Sequence, residues 1–379
     1  MTASRSRLLQ RLDAAIAAAA NPVEAQCLRA ERAALLARQG QLEAAKTVID
    51  ELTMQLAWQP NIALRAWLAL AEGLHGHYSA LGREAQTSIQ EAHELAKGAG
   101  TLARLQALAA AWLANMAFAD DDMPRMAALV REALDKALPE HHGARARAAL
   151  VAGYAYHFGG ENPRAQPWYE ASRRHAIAEG DETHLSALMH NQAWMRASQA
   201  RLALLFGAAG SDAVQVEAVG HALMGAESIG HYDAGVGTAS LGSLVPMLRA
   251  QVLTAQGKWL QALGLFETHF ETALGEGLSR LSPGLLADRA WCEWHLGNAR
   301  KAQALVGAAE QALAQRCDTD DRATATARLA QVCTALGDVA SAARHRETAQ
   351  VQFEAHRVQQ RQIVELLDRS LAGIDPTTV

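Results

Sequence analysis

The chain has 379 residues, half of them apolar and only 5% aromatic, with a net charge of −5. That balance gives no basic surplus for nucleic acid, and no uninterrupted apolar run reaches the roughly 18 residues that a membrane helix needs. Four cysteines (Cys27, Cys292, Cys317, Cys333) form no CxxC pair, as reduced thiols of a cytoplasmic protein would.

Residues 5–20, RSRLLQRLDAAIAAAA, place Leu8, Leu9, Leu12, Ile16 and Ala19 on one helical face. A secretory signal peptide is the alternative. Arg11 and Asp13 interrupt its apolar stretch, so residues 1–21 are expected to form a capping helix. Asn21-Pro22 ends that helix and opens the next.

From residue 22 to about 350 the chain repeats itself. A small or slim residue recurs with a partner twelve positions later: Ala33 and Ala45, Gly73 and Ala85, Ala114 and Met126, Gly153 and Ala165, Ala250 and Ala262, Ala290 and Ala302, Ala330 and Ala342. A turn residue follows seven after the first: Gly40, Ala80, Asp121, Gly160, Gly257, Gly297, Gly337. Two helices approach within roughly 8–10 Å where their crossing carries small side chains. Each unit therefore reads as a helix, a tight turn and a helix packed back on the first.

The first four units fall at about 22–59, 61–100, 101–140 and 143–180, the last three at about 241–277, 280–316 and 320–350. Between them an extended fifth unit, about 181–240, lacks a turn where one is due. Its first helix is expected to run on by two turns or more, with a loop at 207–212, a helix at about 213–229 and a long connection at 230–242. Such an insertion either contacts something or only changes curvature. The extension 351–379 begins as helix to about Leu371, with Ile363, Val364, Leu367 and Leu371 on one face. It reads as a cap over the last unit or as a dimerising coiled coil, which would make a homodimer.

This pattern resembles the tetratricopeptide repeat, most closely in QGKWLQALGLF, LGNARKAQALV and LGDVASAARHR of the last three units. A period near 40 is similar to the longer-helix variety of MalT-type bacterial regulators and Rap-type peptide sensors. HEAT repeats share the period but not the small-residue and turn-glycine signature. The resemblance implies an all-α right-handed superhelix of about eight hairpins. It also implies a non-enzymatic scaffold that holds a peptide or partner-protein segment in a concave groove. The alternative is a sensory module of a bacterial signalling system acting through the long last helix.

In that architecture the residues just after each small one line the groove. The expected contacts are His77 and Tyr78, Asn115 and Phe118, Tyr154 and His157, Gln192 and Arg196, Trp291 and Trp294. These positions are richer in aromatic and polar groups than those of the end units, and such groups dominate interfaces. Phe158 and Met195 read equally well as interhelix core. No cofactor or metal is expected: His75 and His77 stand two apart and so face different ways, and His141-His142 lies at a solvated junction. No GxSxG, HExxH or phosphate-binding loop appears, so no enzyme is expected.

Overall fold

The computed structural model describes residues 6–80, 84–207, 242–315 and 317–379. Among these residues the secondary structure is all helical, without strands, and comprises sixteen α-helices. They are α1 (Arg7–Ala18), α2 (Pro22–Arg38), α3 (Leu42–Trp58), α4 (Ile62–Ala80), α5 (Glu84–Lys97), α6 (Ala103–Ala119), α7 (Met123–Lys136), α8 (His142–Phe158), α9 (Asn162–Glu179) and α10 (Glu182–Phe206). After the undescribed stretch come α11 (Leu244–Ala255), α12 (Trp259–Gly275), α13 (Ser282–His295), α14 (Ala299–Leu313), α15 (Thr319–Leu336) and α16 (Val339–Ser370).

The turns repeat one geometry. Gly40, Gly160, Gly257, Gly297 and Gly337 have φ between 73° and 84°, and Asp121 takes the same left-handed place at 64°. After each, an amide reaches back five residues, as Gln41 N does to Leu36 O and Asn298 N to Glu293 O, both at 2.9 Å. Those bonds satisfy carbonyls that the ending helix leaves open. Ala80 ends α4, and the residues after it lie outside the described set.

The crossings are as tight as the sequence pattern requires. Ala33, Ala45, Ala114, Met126, Ala250, Ala262, Ala290 and Ala302 are wholly buried. A Cβ on Gly73 would stand 2.4 Å from Ile89 Cγ1 and 2.9 Å from the Ala85 carbonyl, so only glycine fits there. Within each pair the two helices pack side by side. First helices also pack on one another, α2 on α4, α6 on α8 and α13 on α15, and second helices meet the first helix of the following pair, α3 on α4, α5 on α6, α7 on α8, α12 on α13 and α14 on α15.

The described residues form two compact units. The first runs to Leu188 and includes Gln362–Val379; the second holds Met189–Gly207 and 242–Arg361. In the first, α1 lays Leu8, Leu9 and Leu12 on Leu35, Leu36, Ala37 and Ala45 of the α2–α3 pair. It is also tied to the far end of α9. Leu8 N donates to Gly180 O at 3.0 Å, Arg7 pairs with Glu182 at 2.7 Å, and Arg11 donates to the carbonyls of Ala178 and Glu179 at 2.9 and 2.8 Å. Gly180, at φ 75°, allows this approach, because a Cβ there would meet Arg7 Cβ at 3.1 Å.

The last residues also belong to the first unit. Ile363, Leu367 and Leu371 are buried, Val364 lies against Gly159, and Asp368 is held by Arg164 and by the Tyr156 hydroxyl at 3.2 Å. Beyond the helix, Arg131 donates to Ala372 O at 3.1 Å and Arg174 to Thr377 O at 3.1 Å. The sequence points to a cap on the last pair or a coiled coil; the structure spends this apolar face on α7–α9 instead. Its apolar residues carry no mark of which surface they cover.

In the second unit the later part of α10 packs Ala193, Ala197 and Ala200 on Leu248 and Val252 of α11. Helices α13, α14, α15 and α16 close over Ala287, Ala302, Val306, Leu329 and Val332. Helix α10 is 25 residues long, so the first helix of the fifth unit does run on. The loop, helix and connection expected over 207–242 lie, apart from their end residues, outside the described residues.

Gly100–Ala119 is, by length and composition, apolar enough to cross a membrane despite the charge at Arg104, and 61% of that stretch is buried inside the protein. Arg104, Gln106 and Asn115 break the apolar run, while so few polar residues leave the average high.

Candidate functional site

The first helices of unit one present one continuous stripe each. On α6 it runs Arg104, Leu108, Trp112, Asn115, Phe118, with steps of three or four residues that keep to one helical face. On α4 the stripe is Trp67, Leu70, Leu74, then His77 and Tyr78. Together with α1, α2, the start of α8 and the α9–α10 corner, these stripes enclose a cavity of about 90 Å³. Several water molecules or a small polar group fill such a volume.

Three arginines enter it, and two are paired. Arg104 grips Glu31 through two bonds of 2.6 Å and lies 4.7 Å over the Trp67 ring. Arg38 meets Asp181 at 2.7 Å, with both side chains nearly buried, and its Nε has no partner. Burial works against the charge on Arg38, but the Asp181 carboxylate prevails and raises its pKa. Burial likewise raises Asp181 while Arg38 and His184 lower it further, so its pKa falls below the ordinary 3.8.

Arg147 is different. It is 4% exposed and lies 3.8 Å from the centre of the Trp112 ring. Among the described residues no carboxylate stands within ion-pair distance of it; the Tyr78 hydroxyl is the uncharged oxygen that supports both it and Arg38. Burial draws its pKa down to about 10. His184, also buried, is pushed well below 6.5, first by burial and then by the Arg147 charge, and its Nε2 shares a 2.8 Å bond with Ser172 Oγ. Glu179, half-buried at the rim, has its pKa raised by burial and then by Glu31.

Unit two shows what a compensated version looks like. There Asp288 is shared by Arg328 at 2.9 Å and Arg201 at 3.2 Å, and Arg201 reaches Asp321 at 3.4 Å. Ser198 donates to Asp320 at 2.6 Å. Burial and the neighbouring Asp320 push the Asp321 carboxyl upward against the pull of Arg201. Each of these arginines faces an aspartate.

The residues chosen from sequence divide between the units. In unit one, His77, Tyr78 and Trp112 meet edge to face at 5.1–6.1 Å, which puts Tyr78 beside the cavity. Phe118 packs on Tyr154 at 4.9 Å and on Phe158 at 5.6 Å. Asn115 is half-buried on the α6 stripe. His157 is buried, and its Nδ1 lies 3.1 Å from the Tyr169 hydroxyl of α9. Its ring is therefore packed within its own helix pair. In unit two, Gln192 is half-buried and Arg196 exposed, while Trp291 and Trp294 stack at 5.4 Å, with Arg328 5.5 Å from Trp291.

The residues expected from sequence lie at the C-terminal end of these stripes. Trp67, Arg104, Trp112 and Arg147 lie one to three turns nearer the helix starts, and the two tryptophans in so aromatic-poor a chain were the available signal. The histidine pair at the α8 start is partly exposed and takes part in local bonding. His142 and His175 share a bond of 2.9 Å, His175 meets Val379 O at 2.7 Å, and both His141 and His142 line the cavity. Among the described residues no three His, Cys, Asp or Glu side chains form a group that could hold a metal. The four cysteines are free, and burial raises every one of their thiols. Compared with known proteins, the chain matches no family model and no curated sequence.

Proposed function

We propose that this chain is a tetratricopeptide-like superhelical scaffold that holds a peptide or partner-protein segment against the inner stripes of its first helices. Six left-handed turns of one geometry and buried small residues twelve apart support the repeat reading. The observation that carries the binding reading is the polar cavity in unit one, walled by Trp67 and Trp112 and continued by the half-buried Tyr78, Asn115, Phe118 and Tyr154. Aromatic rings beside arginine are the composition that anchors bound segments. A second reading, a sensory module, draws on α16, whose last turns and the residues after it are held by Arg131, Arg164 and Arg174.

The test is retention of capped peptides on an array by the full chain, repeated with Tyr78→Ala. Wild type should retain a subset, and the variant, assayed below its own melting transition because Tyr78 also supports Arg38 and Arg147, should lose roughly 2 kcal/mol of affinity. If wild type retains none, or the variant binds equally, the scaffold reading fails.

A further inference from the structure

We propose that the unit-one cavity is a receptor for a single carboxylate group, which docks on Arg147 beside the Trp112 ring. The carboxylate comes either from an acidic side chain of a bound segment or from a small free carboxylic acid. This rests on the scaffold reading only for the first of those sources.

The argument begins with charge. A buried cation without a counter-ion is among the least favourable arrangements in a folded protein, and folds remove it by pairing or by exposure. Arg38 and Arg104 are paired, and so are Arg201 and Arg328 of unit two. Arg147, buried to 4% and lining the cavity, has no salt bridge, and its support is the Tyr78 hydroxyl and the charge of Asp181 beyond ion-pair distance. Its face is taken by Trp112 and the Tyr78 hydroxyl meets part of its edge, which leaves the remaining in-plane N–H groups for a planar acceptor, and a carboxylate suits that fork.

Size and sign then narrow the class. About 90 Å³ admits a small group. Asp181 and Glu31 are paired with Arg38 and Arg104, Glu140 is exposed and Glu179 half-buried at the rim, so Arg147 is the lining arginine left without a salt bridge. A phosphate dianion would bring twice the negative charge of a carboxylate next to Asp181, Glu31 and Glu179. The aliphatic part of the occupant is met by Leu70, Leu74 and Leu108.

The test uses the full chain with its arginine Nε labelled by nitrogen-15, titrated with butyrate, with its neutral analogue butyramide and with inorganic phosphate. Butyrate should shift one Nε resonance to saturation, and that resonance should be missing in Arg147→Met. Butyramide should not shift it, and phosphate should bind more weakly than butyrate. Arg147→Met should still melt cooperatively and give no butyrate heat by calorimetry. Arg147→Lys, which keeps the charge and loses the flat stack, should bind about tenfold more weakly. Equal response to butyramide, tighter binding of phosphate, or undiminished butyrate binding by both variants overturns the proposal.

The peptide array separates the two sources. Retained peptides whose binding is lost on Glu→Gln exchange identify the side chain as source. Butyrate binding with no peptide retained supports the cavity chemistry through a free acid and overturns the scaffold reading. Peptides retained alike with Glu or Gln, together with no butyrate shift, overturn the carboxylate receptor and leave the scaffold standing.

Discussion

The Arg147 guanidinium lies 3.8 Å from the centre of the Trp112 ring, and that indole face joins the Tyr78 hydroxyl and the charge of Asp181 in compensating for its burial. Stacking on an aromatic face returns about 2 kcal/mol when desolvated, less than a buried charge loses. Arg147→Met should therefore stabilise the chain by about 1–4 kcal/mol in chemical denaturation. A loss of stability would mean that the charge is compensated by groups other than those around it here.

Breaking the neighbouring pair should do the opposite. Asp181→Asn leaves Arg38 buried and unpaired, and the cost is about 3–5 kcal/mol. The native Asp181 pKa lies below its unfolded value of 3.8, so its contribution is present above that value and is lost as pH falls through the native one. The double variant Arg38→Met with Asp181→Asn should recover much of the loss, measured as urea midpoints at neutral pH.

Acid should weaken the fold at a higher pH for a separate reason. Native His184 stays neutral far below 6.5, whereas the unfolded chain takes a proton near 6.5. Its contribution is whole above that pH and falls as pH drops, by up to about 1.4 kcal/mol per pH unit until the native value is reached. His141 and His175 are lowered too and add in the same direction. His184→Gln should flatten the fall between pH 6.5 and 5 without abolishing it.

Packing predictions rest on single atoms. Gly73→Ala should cost roughly 1–3 kcal/mol, because the Ala85 carbonyl at 2.9 Å cannot withdraw as a side chain can. Ala290→Leu and Ala302→Leu, both wholly buried, belong to the same range. Gly307 in α14 has nothing within 4 Å of a built Cβ, so Gly307→Ala should stabilise by about 1 kcal/mol. Equal melting temperatures across these four would refute the crossing geometry.

What the sequence disclosed was local and periodic. Ala33 with Ala45 and Ala290 with Ala302 announce crossings because only small residues permit them, and Gly297 announces a turn because its φ of 84° excludes most others. Arg147 announced nothing. In ARARAAL it is indistinguishable from Arg145, yet Arg145 turns back to the carbonyls of Ala137 and Leu138 while Arg147 points inward. The difference is a rotation of about 200° around the helix, and its meaning depends on Trp112 being opposite. The docking of Asp368 on Arg164 was equally hidden, since pairs more than two hundred residues apart leave no period to read.

The bond from Leu8 N to Gly180 O joins residues that leave the ribosome far apart in time. At about 5–20 residues per second, roughly 10–35 s separate their synthesis. During that interval α1 has Leu35 and Leu36 to rest on, while its anchor on the α9–α10 corner does not yet exist. The walls of the cavity are thus made in order, from α2 to α8, around a space whose first helix is fixed only when Glu182 has been translated. Vectorial synthesis therefore leaves the arginine-lined interior open to solvent until late, and a nascent chain stalled before residue 180 would present Arg147 to whatever anion the cell offers.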